Sequence, residues 1–217
     1  MACQRHPIAA THRGFCAACL LEDALAPVED NEPTPTKRLT IQVPLGRGAR
    51  ADVYLVRRDG PSPRLLRLKT WHRAADLQFL SRFGQLQKEL ESWAARDVDR
   101  PLAASLDAAG CPSVLTEFRQ GLPIVDRVRS GRLAAGDAVA LLKPIGALIA
   151  QAHARGLFHG SIVAGNVVVD AESGRARLLD FGLTGLMEPD EEPSVRASKD
   201  LAGIQVLSDS LRLLRIH

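Results

Sequence analysis

Two stretches of this chain concentrate side chains able to do chemistry. Near the N-terminus, C-Q-R-H at 3–6 and C-A-A-C at 16–19 supply Cys3, His6, Cys16 and Cys19, a Cys-x2-His pair and a Cys-x2-Cys pair. Tetrahedral Zn²⁺ takes four such soft or borderline ligands, and each x2 turn brings two of them onto one ion. His12 could replace His6, and the plain alternative is ordinary thiols near a terminus. A segment this small has no other source of a core, which favours a structural zinc. The second stretch runs from His159 to Gly182 and reads H-G-S-I-V-A-G-N-V-V-V-D, then L-L-D-F-G. It gathers an imidazole (His159), a hydroxyl (Ser161), a carboxamide (Asn166) and a carboxylate (Asp180). The Ser161 hydroxyl cannot act as a base near neutral pH without help.

Several elements must position these groups. Residues 1–25 form the cysteine-rich segment, and 26–37, A-P-V-E-D-N-E-P-T-P-T-K, a linker whose prolines and mixed charges cannot bury an apolar face. From Arg38 the pattern is globular. Residues 38–45 read as a strand broken by a Gly-containing turn at 46–48, and 52–58 as a second strand. The turn D-G-P-S-P at 59–63 returns the chain into a third at 64–70. Leu77, Leu80, Leu86, Leu90 and Trp93 mark an amphipathic helix over 75–96. Two short strands follow at 102–107 and 113–118. A helix then starts at Gly136-Asp137 with Asp137 as N-cap and Leu141, Ile145, Leu148, Ile149 and Ala152 as its buried stripe; Pro144 kinks it or lies in its first turns. Val167–Val169 and Arg177–Leu179 read as a hairpin, and a last helix spans about 200–214. The order is a mostly β half followed by a mostly α half.

Composition bounds the function. The chain has 217 residues, 46% apolar and 24% charged, which is ordinary for a globular protein able to bury a sizeable core. The net charge of +3 is too mild and too evenly spread to argue for nucleic acid, and 4% aromatics leave little for base stacking. The longest apolar stretch, around Ala138 to Ala152, is interrupted by Lys143, Pro144 and Gln151, short of the roughly 18 apolar residues of a span. The N-terminus M-A-C-Q-R-H-P has no apolar core of a signal peptide. A cytoplasmic location is expected, with cysteines reduced or metal-bound; Cys111, in a turn, reads as an ordinary thiol.

With the elements in this order, residues 38–217 resemble the eukaryotic-type protein-kinase fold, especially bacterial Ser/Thr kinases. L-G-R-G-A-R-A-D-V at 45–53 resembles G-x-G-x-x-G-x-V, with Ala51 in place of the third Gly. The resemblance implies that Gly46 and Gly48 bring backbone amides to phosphates and that Val53 packs on adenine. L-R-L-K at 66–69 is similar to V-A-I-K, which makes Lys69 the α/β-phosphate ligand, paired with Glu89 or, alternatively, Glu91. V-L-T-E-F-R-Q-G at 114–121 resembles the inter-lobe hinge: Thr116 is the gatekeeper, and the backbone of Glu117 and Arg119 meets the adenine edge. Val168 is assigned to the same cofactor site. His159 to Asn166 has the spacing of H-R-D-x-x-x-x-N, so Asn166 and Asp180 correspond to the Mg²⁺ ligands, while His159 packs under Phe181. S-K-D-L-A-G-I-Q-V-L at 198–207 resembles the start of the large lobe's central helix, with Asp200 anchoring the catalytic loop. F-C-A-A-C-L-L-E resembles small zinc ribbons or knuckles that precede some bacterial kinase domains. The implied fold is α+β and two-lobed: a zinc knuckle (1–25), a linker (26–37), a β-rich N-lobe (38–118) and a helical, truncated C-lobe (119–217).

Four departures set the functional expectation. Ser161 stands where the catalytic Asp accepts the substrate proton, and Val163 where a Lys usually contacts the γ-phosphate. Arg67 replaces the Ala of V-A-I-K and, two residues from Lys69 on a strand, shares its face. No A-P-E motif lies between Gly182 and Asp200. Losing the base alone removes roughly 10²–10⁴-fold in rate, but phosphoryl transfer depends mainly on positioning and charge. Losing base, lysine and substrate platform together points to a pseudokinase, a nucleotide-responsive signalling module with a protein partner, ATP/Mg²⁺ and Zn²⁺. The alternatives are an active atypical Ser/Thr kinase transferring the ATP γ-phosphoryl group, and a zinc-dependent nucleic-acid-binding protein.

Overall fold

The computed structural model describes residues 39–214 apart from 61, 94 and 96, together with the backbone of Thr11–His12 (β1) and Phe15–Cys16 (β2). These two short strands pair antiparallel, Thr11 opposite Cys16. Cys3, His6 and Cys19, and the side chain of Cys16, lie outside the described residues. Among the described residues no group of three or more His, Cys, Asp or Glu side chains is arranged to hold a metal ion. The chain divides into two compact units, one running to Gln87 and resuming over Arg100–Phe118, the other made of Lys88–Asp99 and the chain from Arg119 onward.

The first unit is built on a five-stranded antiparallel sheet of Leu39–Arg47 (β3), Ala51–Arg58 (β4), Arg64–Trp71 (β5), Pro101–Leu106 (β6) and Pro112–Glu117 (β7), in the order β3-β4-β5-β7-β6. Strand alternation sends Leu39, Ile41, Tyr54, Val56, Leu66, Leu68, Ala103 and Leu115 into one buried cluster. β3 runs past the expected turn to Arg47. Its register shifts at Ile41/Val43 and Pro44/Gly46 leave Gln42 and Leu45 as the extra, unpaired residues, on an edge strand where the missing N–H of Pro44 is tolerated. The turn lies beyond, closed by the Gly48 N–H donating to the Ala51 carbonyl at 3.0 Å.

Phe79–Trp93 (α1) is shorter than the helix expected over 75–96. Its buried stripe is Phe79, Phe83, Leu86 and Leu90, whereas Leu77 precedes it fully exposed and Leu80 lies on the exposed side. Asp76 stops the helix from starting earlier by capping it, its carboxylate accepting the Gln78 N–H at 2.8 Å. Gln87 Nε2 donates to the carbonyls of Pro101 and Leu102, both at 3.0 Å, tying this helix to β6.

The second unit contains Gly121–Pro123 (β8), Ile124–Arg129 (α2), Ala135–His153 (α3), a 3-10 turn at Ala164–Asn166, Val167–Asp170 (β9), Ala176–Leu178 (β10), Leu183–Met187 (α4) and Pro193–Leu213 (α5). The expected hairpin is the β9–β10 pair, and β8 adds to it as a third strand. Gly121 permits this: a Cβ there would lie 2.7 Å from the Val169 carbonyl oxygen. The segment before β6 joins β10 from the other side through a parallel bridge, Val98 to Leu178, reinforced by a buried Arg177–Asp99 ion pair at 3.7 Å.

α3 packs against α5 and β10. It starts one turn earlier than expected, with Ala134 rather than Asp137 at the N-cap, and runs through Pro144. It buries Ala138, Leu142, Ile145, Ile149 and Ala152, so Leu141 and Leu148 are flanking rather than central. It is also the one helix among the described residues long and apolar enough, by length and composition, to cross a membrane. α5 begins at Pro193, a residue suited to a helix's first turn, not near Asp200.

Candidate functional site

Sheet pairing decides which of the expected site residues of the first unit share a face. Gly46 lies opposite Val53, Val53 opposite Lys69, and Lys69 opposite Val114; Leu55, Arg67 and Thr116 form the next row. Residues paired across an antiparallel sheet point the same way. Val53, Arg67, Lys69 and Thr116 therefore stand together on the face opposite the Leu/Ile/Val cluster. Lys69 Nζ lies over the Trp71 ring, 5.0 Å from its centroid, a cation–π contact. Arg67 is only 7% exposed and its Nε donates to Thr116 Oγ1 at 3.3 Å. The guanidinium thus occupies the middle of this face, held by the hydroxyl of the expected gatekeeper. Glu117 ends β7, half-buried.

In the second unit a hydrogen-bonded loop runs from His159 to Asn166. His159 is fully buried. Its Nδ1 accepts the Ser161 N–H at 3.2 Å and its Nε2 contacts the Leu179 carbonyl at 2.9 Å. An acceptor on one nitrogen and a donor on the other assign the Nε2–H tautomer, with both ring nitrogens engaged. The imidazole is structural: its ring meets Phe181 edge-on at 5.4 Å, and Phe181 in turn packs on Trp93 at 5.5 Å. Asp200, fully buried on α5, accepts the N–H of His159 at 2.9 Å and of Gly160 at 2.7 Å and bonds His153 Nε2 at 3.0 Å. Charge-assisted bonds of this kind are the strong ones.

Two glycines let the loop sit where it does. Gly160 has φ +80°, with Thr184 Cβ 3.0 Å from the place a Cβ would take, and a Cβ on Gly203 would meet the Ile162 carbonyl oxygen at 2.5 Å. Helix α5 can approach the loop only because position 203 has no side chain.

Asn166 Nδ2 donates to the Ser161 carbonyl at 2.9 Å. The Asn166 carbonyl accepts the Leu179 N–H, also at 2.9 Å, so this turn is tied to the residue before Asp180. With the amide nitrogen committed, Oδ1 is the Asn166 atom oriented as an acceptor. Asp180 is 94% buried by its 6% exposure and adopts φ 61°, the left-handed region, while Gly182 does the same at φ 75°. A non-glycine residue held there costs on the order of 1–3 kcal/mol, and such strain concentrates at functional sites. A carboxylate and a carboxamide oxygen are the hard donors Mg²⁺ takes, so these two residues fit that ion.

Of the remaining expected residues, Val168 is buried on β9, Arg119 is exposed just before β8, and Glu89 is half-buried on α1 where Glu91 is exposed. Val163 is exposed on the loop. His153, Thr184 and Gly203 have no role in the sequence reading, and Trp93 figures there only as part of the helix stripe, not as the ring that packs on Phe181. Only Gly203 carried a signal there, as a glycine inside a helical pattern, which often marks a close approach.

No protein-family profile matches the chain. Over 166 residues it is 28% identical to the serine/threonine-protein kinase pkn2 of Myxococcus xanthus, a match that takes in 73% of this chain and 19% of that protein. The chain thus spans about a fifth of the length of the curated relative it matches. At the level of distant sequence similarity, over most of its length and with a mixed α+β architecture, the chain is kinase-like.

Proposed function

We infer that this is a kinase-like domain that binds nucleotide and Mg²⁺ and acts through binding rather than phosphoryl transfer. One observation carries the reading: the His159–Asn166 loop keeps its anchor on Asp200 and its carboxamide at Asn166, yet presents a serine at 161 where a base is needed. Lys69, Gly46 and Gly48 are the phosphate contacts, Val53, Thr116, Glu117, Arg119 and Val168 the base contacts, Glu89 the partner of Lys69, and Asn166 and Asp180 the Mg²⁺ ligands. Cytoplasmic signalling through a protein partner is the role such a module fits. Cys3, His6, Cys16 and Cys19 are proposed to hold one structural zinc.

Thermal unfolding with ATP, with and without Mg²⁺, tests the reading. Ligand at about 100 Kd adds roughly 2.7 kcal/mol, enough to raise Tm by several degrees. The shift is expected to vanish in Lys69→Ala and to lose its Mg²⁺ dependence in Asp180→Ala. No shift in the wild type sinks the nucleotide reading.

A second reading, an active atypical kinase, is favoured by the retained pair Asn166 and Asp180. It requires transfer of label from [γ-³²P]ATP that disappears in Asp180→Ala. A rate depressed by roughly 10²–10⁴-fold would match the loss of a general base.

A further inference from the structure

Helix α5 has two faces, and among the described residues only one is covered. Asp200, Leu207, Ser208 and Leu211 are buried. On the other side Val195, Lys199, Ala202, Val206, Asp209 and Leu213 follow at spacings of four, three, four, three and four residues, and all six are exposed. Val206 and Leu213 are each 65% exposed, the most of the large apolar residues on this helix. Alternating spacings of three and four define the seam along which two helices pack knobs into holes.

The order of residues along this seam is palindromic about Ile204. Val195 and Leu213 lie nine positions either side of it, Lys199 and Asp209 five, and Ala202 and Val206 two. Two such helices laid antiparallel across a two-fold axis at Ile204 pair Val195 with Leu213, Ala202 with Val206 and Lys199 with Asp209, each twice. Every apolar residue meets an apolar one, and the two charged positions meet with opposite sign. A parallel arrangement would instead set Lys199 on Lys199 and Asp209 on Asp209.

We propose that this face of α5 is an isologous interface between two copies of this chain. The surface beside it fits. Ser194, Val195, Ser198, Lys199 and Ala202 line a shallow groove. Four of them stand at i, i+3, i+4 and i+7, the set that forms a coiled-coil hole, and the residue across the axis from that groove is Asp209. In the single chain Lys199 pairs with Glu191, and Asp209 with Arg212 at 2.9 Å. Exposed pairs of this kind contribute little, so their partners exchange readily.

Sedimentation equilibrium of the full chain over a range of concentrations tests the interface, with circular dichroism confirming that each variant folds. A monomer–dimer equilibrium is expected. Val206→Glu should weaken it by about tenfold or more, as should Lys199→Asp or Asp209→Lys alone, through repulsion at two symmetry-related contacts. The double variant Lys199→Asp/Asp209→Lys restores opposite charges and should recover association. A monomer at every concentration, a dimer indifferent to Val206→Glu, or a double variant no better than the singles would overturn the proposal.

Discussion

Asp200 and the two glycines around it show how little freedom individual residues in the loop have. The carboxylate satisfies two backbone N–H groups and an imidazole inside the protein, so Asp200→Ala should lower stability by about 3–5 kcal/mol, as removing one partner of a buried charged set does. Gly203→Ala should lose about 1–3 kcal/mol, because the clash is with backbone that cannot step aside. Urea titration measures both. Asp170 gives the pH dependence. The Ser173 backbone N–H at 2.7 Å holds its carboxyl below the ordinary range; burial opposes this, while the Ser173 hydroxyl and Glu172 N–H add to it. A depressed carboxyl stabilises the fold above the unfolded value near pH 3.9, a contribution lost as pH falls through the folded pKa. Asp170→Asn should therefore lower stability at neutral pH and flatten its decline below about pH 4. The resemblance to kinases, more than any local pattern, made the Asp200 anchor and the packing of His159 on Phe181 legible. The Arg67–Thr116 bond was half legible: strand parity put Arg67 on the Lys69 face, but its partner sits 49 residues away in sequence.

At the scale of elements, apolar periodicity located the helices and strands but not their phase or ends. Helix α3 is the clearest case. Apolar residues occupy so many of its positions that several stripes fit, and packing against α5 and β10 selected the one through Leu142 rather than Leu141 and Leu148. Ile149→Ala, at a fully buried position, should cost about 2–5 kcal/mol, and Leu141→Ala distinctly less, by denaturant unfolding. Strand β8 was missed because Gly-Leu-Pro reads as a breaker, and only tertiary pairing with β9 makes it a strand. The start of α5 was expected near 200, but the helix opens at Pro193, whose fixed φ suits a first turn.

For the molecule as a whole, the sequence pattern carried the α+β class and the succession from sheet to helices. It could not carry strand order, since β5 pairs with β7 across the intervening helix and β6. The cysteine pairs remain the part to be tested by metal analysis. One zinc per chain is expected by atomic emission, lost on mutating Cys16 or Cys19, with the ATP/Mg²⁺ thermal shift retained. A chain that carries no zinc when purified under reducing conditions would leave Cys3, Cys16 and Cys19 as plain thiols.

Leu179 has both of its peptide groups taken, the N–H by the Asn166 carbonyl and the carbonyl by His159 Nε2. Asp180 hangs directly from that doubly fastened residue. In deuterium the Leu179 amide should rank among the slowest protons to exchange, opening only when the whole unit unravels. If Asp180 takes the proposed Mg²⁺, the ion would meet a carboxylate whose preceding residue is already fastened, and binding should proceed with a small heat-capacity change, without the signature of a segment ordering around its guest.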